Sequence, residues 1–159
     1  MSQVVKYPNP ILTTRCQEFD FKAPFMDPQV LANALMTAMY DNNGIGISAN
    51  QIGVPARVFA IRGPEFNYVC FNPKIVSHSD ETSVLEEGCL SFPGLVVKIK
   101  RPEEIRVRFM TPSGGTDTKT FGGLTARIFQ HEMDHLDGVL FYNKANKFHR
   151  DQALRKWKP

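Results

Sequence analysis

Five consecutive residues, His131-Glu132-Met133-Asp134-His135, set two imidazoles and a carboxylate in the order H-E-x-x-H. On a helix, residues four apart share one face, so both rings can reach one metal ion while Glu132, one position on, addresses a water bound to it. That is the geometry of metal-assisted hydrolysis. Three fixed residues match by chance in roughly one chain in a hundred of this length, and the bland alternative is a surface helix with two solvated histidines.

A catalytic metal site takes three protein ligands and keeps one position open. Downstream of the motif the choices are poor. The longer pattern H-E-x-x-H-x-x-G-x-x-H is followed as far as Gly138, but Phe141 stands where its third histidine belongs, and no glutamate occurs after Glu132. Upstream, the run Glu86-Glu87-Gly88-Cys89-Leu90-Ser91 offers a thiol ahead of a Phe92-Pro93-Gly94 turn. One thiolate with two imidazoles suits zinc or iron(II). Taken alone, Cys89 would more often be a small buried hydrophobe, and Gln51 a loop amide bonded to nearby backbone.

Context changes both readings. The chain carries GIGISANQ at 44–51, EGCLS at 87–91 and QHEMDHLDG at 130–138, in that order. In these three motifs, and in the stretch from about Val4 to Tyr142, it resembles the peptide deformylase family. Ser48 stands where the family usually has alanine, and the 21 residues after Gly138 are fewer than many bacterial members carry there.

The resemblance implies an α+β fold, with small mixed or antiparallel sheets around a central helix bearing the H-E-x-x-H motif. It implies that Cys89, His131 and His135 hold the metal, with a water in the fourth place. The side-chain amide of Gln51 and the backbone N–H of Leu90 would then donate to the oxyanion formed when the formyl carbon of an N-formylmethionyl nascent peptide is attacked. Glu132 would take the water's proton and pass it to the leaving amine, releasing formate and a free methionine. Iron(II) is the implied ion, with zinc, nickel or cobalt as substitutes.

Gly44, Ile45, Gly46 and Gly88 would lie along the substrate, which could pair with the open backbone at Ile45 and Gly46 as an added strand. Leu124 and Ile128, seven and three residues before His131, project to the same side as that ligand. With Ile45 and Leu85 they would form the methionine slot, although core packing explains Leu85 equally well. Glu87 and Arg101 are implied to form an ion pair behind the cysteine loop. Arg127, four before His131, belongs at the slot's rim with no partner that the sequence identifies. His78 and His149 match nothing and read as solvated.

These residues need a frame. Asp27-Pro28 opens a helix that runs to about Asn42, with Leu31, Ala34, Leu35, Ala38 and Met39 at helical spacing. Strands are predicted at Val58–Ile61, Tyr68–Phe71, Lys74–His78, Val96–Lys100 and Glu104–Phe109, with a turn at Thr111-Pro112-Ser113-Gly114-Gly115. Leu124 to Asp137 forms the helix that carries the chemistry, closed by Gly138. A third, weaker helix follows from about Asn146.

The whole chain, 159 residues with 42% hydrophobic and 22% charged, has the size and composition of one folded domain covering residues 1–159. No apolar run approaches the roughly 20 residues that span a bilayer, and the start MSQVVKYPNP lacks a signal-peptide core. Three cysteines, at 16, 70 and 89, with no C-x-x-C spacing, fit a reducing cytoplasm. From Lys144 onward six basic residues face one acid, Asp151, so the tail carries +5 of a net +3. A solvated helix is the commoner meaning of such a tail, and a transient ribosome contact is the alternative. Neither DNA nor membrane binding is indicated. The rival readings are a metallopeptidase cutting internal peptide bonds, which the EGCLS run argues against, and an RNA-binding protein, against which the tail offers only Phe148 and Trp157 as aromatics.

Overall fold

A computed structural model describes residues 3–158 of the chain. Helix α1, Pro28–Asp41, starts as its sequence requires: the Asp27 carboxylate accepts from the Gln29 N–H at 2.7 Å, and Pro28 needs no partner at the first position. Its buried face, Leu31, Ala32, Leu35, Ala38 and Met39, packs in one core with Ile47, Val58, Ala60 and Phe71.

Seven strands follow: β1 Gly46–Ser48, β2 Val58–Arg62, β3 Asn67–His78, β4 Thr82–Cys89, β5 Phe92–Pro102, β6 Glu104–Met110 and β7 Thr116–Gly122. They form a five-stranded sheet in the order β1-β2-β3-β6-β7 and a separate two-stranded hairpin, β4-β5, and every pairing within these sheets is antiparallel. The two strands expected at Tyr68–Phe71 and Lys74–His78 are one. Asn72 takes a left-handed turn (φ 49°) and the register slips there, but the ladder to β6 resumes at Lys74. Strands β1, β4 and β7 escaped the sequence reading, because β1 is three residues long, β7 is polar along most of its length, and in β4 the apolar pair Val84-Leu85 does not alternate with its polar neighbours.

Helix α2, Gly123–Leu136, lies between the two sheets, and its apolar residues Ala126, Ile128, Phe129 and Leu136 join a second core built on β2, β3, β6 and β7. Phe129 meets Phe59 edge-on at 4.9 Å and both are fully buried, so truncating Phe129 to alanine would cost about 3–5 kcal/mol. Two devices close the helix. Arg57 donates to the Leu136 carbonyl and the Asp137 carboxylate at 2.9 and 2.8 Å, and Gly138 turns with φ 71°. A Cβ at Gly138 would stand 2.8 Å from the backbone of Thr14, so the chain crosses there only because the residue is glycine.

The third core, around Leu12, Phe92, Leu95, Val97, Ile99 and Phe141, backs the hairpin. Helix α3, Lys147–Lys156, buries no residue, yet Ala153, Leu154 and the following Trp157 rest on that core, and the Trp157 indole donates to the Pro93 carbonyl at 2.8 Å. The expected solvated helix is thus solvated on one side only. Among the described residues no helix is long and apolar enough to cross a membrane.

Candidate metal centre

The hairpin and α2 meet at Cys89, His131 and His135. Cys89 ends β4, the histidines face it one helical turn apart, and the sulfur and one ring nitrogen from each histidine lie within 4.8 Å of one another. The Cys89 sulfur is 3.2 Å from His135 Nε2. Burial raises the pKa of this thiol, but the two imidazoles outweigh it and bring it down to about 5, so Cys89 is a thiolate at neutral pH, the form that binds metal. Charging His131 is opposed by burial and favoured by its bonds to Cys89 and Glu87, which raise its pKa well above the ordinary value.

Behind the ligands the polar atoms are closely paired. Glu87, from β4, accepts from Arg101 Nε and Nη2 at 2.6 and 2.9 Å, from Arg127 Nη1 at 2.6 Å, and meets His131 Nδ1 at 2.9 Å. Arg101 also donates to Asp134 at 2.9 Å. Burial would push the Glu87 carboxyl up, yet its bonds from His131 and Arg101 hold it down at about 2. A carboxylate on Nδ1 leaves Nε2 of His131 free for a metal, the usual way such a ring is oriented.

In front of the ligands one atom is unpaired. Glu132 Oε1 is buried and, among the described residues, has no hydrogen-bond partner, while burial lifts the carboxyl to about 7. Glu132 lines a cleft of about 580 Å³ together with Cys89 and His131. An unpaired buried carboxylate oxygen on a cleft-lining residue, next in sequence to one of three clustered metal-ligating side chains, fits a bound ion with an open coordination position.

Gln51 closes another side. Its Oε1 accepts from the Ser48 N–H at 3.0 Å and lies 3.2 Å from the Ser48 hydroxyl, which turns Nε2 toward Ser91 Oγ at 3.0 Å and the Cys89 sulfur at 3.5 Å. The Ser48 hydroxyl's shorter bond, at 2.5 Å, goes to Asn50 Oδ1, so the Ser48 backbone N–H is the main hold on Gln51. Asn50, from the same motif, donates to the His135 carbonyl at 2.8 Å.

Gly44, Ile45, Gly46, Gly88, Leu90, Leu124 and Ile128 all line the cleft. Gly46 is required by space: a Cβ there would lie 2.7 Å from Glu132 Oε2 and 2.8 Å from Ile128. Leu85 does not belong. It stands 48% exposed on β4, outside the cleft and outside the core, because only Glu86–Cys89 of that strand reach the site. Arg127 lines the cleft as well, but it is buried, and the partners the sequence did not identify are four acceptors on the hairpin. Lys6 and Asn43 also line the cleft; Lys6 carried no signal because no local pattern links it to the motifs, and Asn43, next to Gly44, read only as the end of the first helix.

A family model described as polypeptide deformylase matches residues 1–151. The chain belongs to the polypeptide deformylase family. It is 40% identical to the peptide deformylase of Afipia carboxidovorans, over 81% of this chain and 78% of that one, and 38% identical to that of Desulforudis audaxviator, over 93% and 96%. Among solved structures, the Plasmodium falciparum peptide deformylase in complex with an inhibitor superposes with a TM-score of 0.87 at 35% identity, covering 97% of this chain and 96% of that one. The α+β architecture is thus the family's. The family removes N-formyl groups from nascent polypeptides in a metal-dependent manner, and this chain is a hydrolase of that class.

Proposed function

We propose that residues 1–159 act as one catalytic domain in the cytoplasm, where Cys89, His131 and His135 hold one iron(II) ion, replaceable by zinc, nickel or cobalt. The observation that carries this reading is the clustering of a thiolate and two imidazoles beside the unpaired oxygen of Glu132. Bound there, the ion supplies Lewis acidity toward water and toward the formyl oxygen.

The chain's own residues do the rest. Glu132, with its pKa near 7, takes a proton from the attacking water and returns it to the leaving amine. Gln51 Nε2 and the Leu90 N–H donate to the formyl oxygen as it gains charge. For Gln51 this means exchanging its long 3.5 Å contact with the Cys89 sulfur while keeping the shorter bond to Ser91. Gly46 opens the edge strand β1 and offers its backbone to an extended peptide by main-chain pairing, while Gly44 and Ile45, whose carbonyls are held by Arg62, lie alongside in the cleft. Ile128 at the floor, Ile45 and Leu124 at the mouth and Gly88 opposite enclose the methionine, an unbranched thioether that adapts to an irregular slot. Glu87 and Arg101 keep His131 and the hairpin in place behind the reaction.

Anaerobically handled protein should deformylate formyl-Met peptides, reject acetyl-Met peptides and leave an unmodified internal peptide intact. A methyl in place of the formyl hydrogen would press on Gly46, Cys89 and Leu90 and lose attack geometry. Equal use of the acetyl peptide refutes the tight formyl site, and cleavage of the internal peptide at a comparable rate supports a metallopeptidase. Elemental analysis tests the ligands, because Cys89→Ala should lose most of its metal, and full occupancy would remove Cys89 from the set.

A further inference from the structure

Helix α2 and the β4-β5 hairpin contribute different ligands to one centre, so something must fix their separation. We propose that Arg127 is the positioning residue that fastens the hairpin to the helix and thereby sets where Cys89 stands relative to His131 and His135. This rests on the metal-ligand reading above.

Arg127 leaves α2 one turn before His131 and is 6% exposed. Its Nη1 donates to Glu87 Oε2 at 2.6 Å and to the Ile99 carbonyl at 3.0 Å, and its Nη2 to the Ser83 carbonyl at 2.8 Å, with Ser83 Oγ at 3.5 Å. The acceptors lie on both strands of the hairpin, Ser83 and Glu87 on β4 and Ile99 on β5. A planar guanidinium donating in several directions is the side chain suited to span them, whereas an ammonium is a point charge.

The attachment brackets the centre. On the strand it grips Glu87, two residues before Cys89, and on the helix it originates four residues before His131. Arg101 cannot replace it. That side chain comes from β5, so its two bonds to Glu87 stay within the hairpin, and it reaches α2 only at Asp134. Removing the Arg127 guanidinium would leave the Ser83 and Ile99 carbonyls and Glu87 each short of a donor, and of the remaining polar ties between hairpin and helix, through Asp134, His131, His135 and the Gln130 amide at Pro102, none reaches Ser83 or Ile99.

The test compares wild type, Arg127→Met and Arg127→Lys loaded with cobalt(II). Three quantities are measured: metal stoichiometry, the rate at which a chelator strips the ion, and the visible absorption of the cobalt–thiolate site. Wild type should bind one ion per chain. Arg127→Met should bind it about 10- to 100-fold more weakly, release it correspondingly faster and show shifted absorption bands, and Arg127→Lys should fall between. Melting temperatures with and without cobalt separate positioning from a general structural role. Positioning reduces the stabilisation gained on loading, whereas a purely structural role lowers both melting points equally.

Wild-type release rates and spectra in a folded Arg127→Met overturn the proposal. If that variant does not fold, the same wild-type behaviour in Arg127→Lys overturns it. A wild-type chain that takes up no metal would refute the ligand reading itself, whereas loaded wild type with an unaltered Arg127→Met refutes only the role of Arg127.

Discussion

Helix α2 carries Arg127, His131, Glu132, Asp134 and His135 within fourteen residues and buries every one, whereas α3 carries Lys147, His149, Arg150, Asp151, Arg155 and Lys156 within ten and buries none. The inventories are similar and the consequences are not. Inside, every charge on α2 but Glu132 is fixed by named partners, and two glutamates of one site are driven to opposite extremes, Glu87 down to about 2 and the unpaired Glu132 up to about 7. On α3 the charges face water, and its stabilising contacts come from Ala153, Leu154 and Trp157 instead. Titratable residues acquire chemistry from enclosure and partners, not from their number.

Substitutions should track this contrast. The largest effect is expected at Glu132, where Gln preserves shape and removes the base. Turnover should fall by about 100-fold or more with metal content retained, and near-normal turnover would cancel its role as proton carrier.

Gln51→Ala removes one of the two proposed donors to the developing negative charge. It should lower kcat by about 100- to 1,000-fold with little change in KM, a split read from steady-state kinetics on a formyl-Met peptide.

Glu87 ranks next, through stability. Its folded pKa lies below the ordinary carboxylate value of 4.5, so its contribution is fully present above about pH 4.5 and is lost as pH falls through about 2. At about 1.4 kcal/mol per pKa unit, the contribution is on the order of 3 kcal/mol. Urea titrations between pH 6 and pH 2 should show that loss in wild type and a flatter profile in Glu87→Gln.

The smallest effect belongs to α3. Changing Lys147, Arg155 and Lys156 to Gln should alter stability by less than about 0.5 kcal/mol and leave small-peptide turnover as it was. Ribosome co-sedimentation at two salt concentrations checks the same variant: salt-sensitive binding lost with the charges would give the tail a partner, as counterion release requires. Trp157→Ala, by contrast, removes both a side-chain bond to the cleft-lining Pro93 and the indole's packing on Phe92 and Tyr7, and should cost more in thermal unfolding than the bond alone, which is worth about 1 kcal/mol.

The candidate site residues were legible because their signals are local. His131, Glu132 and His135 sit at helical spacing, Asp27-Pro28 opens α1, and alternation marks β6. Cys89 and Gln51 entered through short motifs that resemble a family, and the same motifs held Asn50 and Ser91, whose bonds appear only in the folded chain.

What the sequence determined by itself is which side chains share a helix face and which short runs belong together, since both follow from the fixed period of the backbone. Only the tertiary structure decided that β4 pairs with β5 apart from the larger sheet, that Leu85 stays outside the cleft, and that Arg127 turns inward to Ser83, Glu87 and Ile99. Those contacts join residues 28 to 44 positions apart. An arginine on a helix reads the same whether it meets water or a buried carboxylate, and the difference lies in what the rest of the chain packs against it.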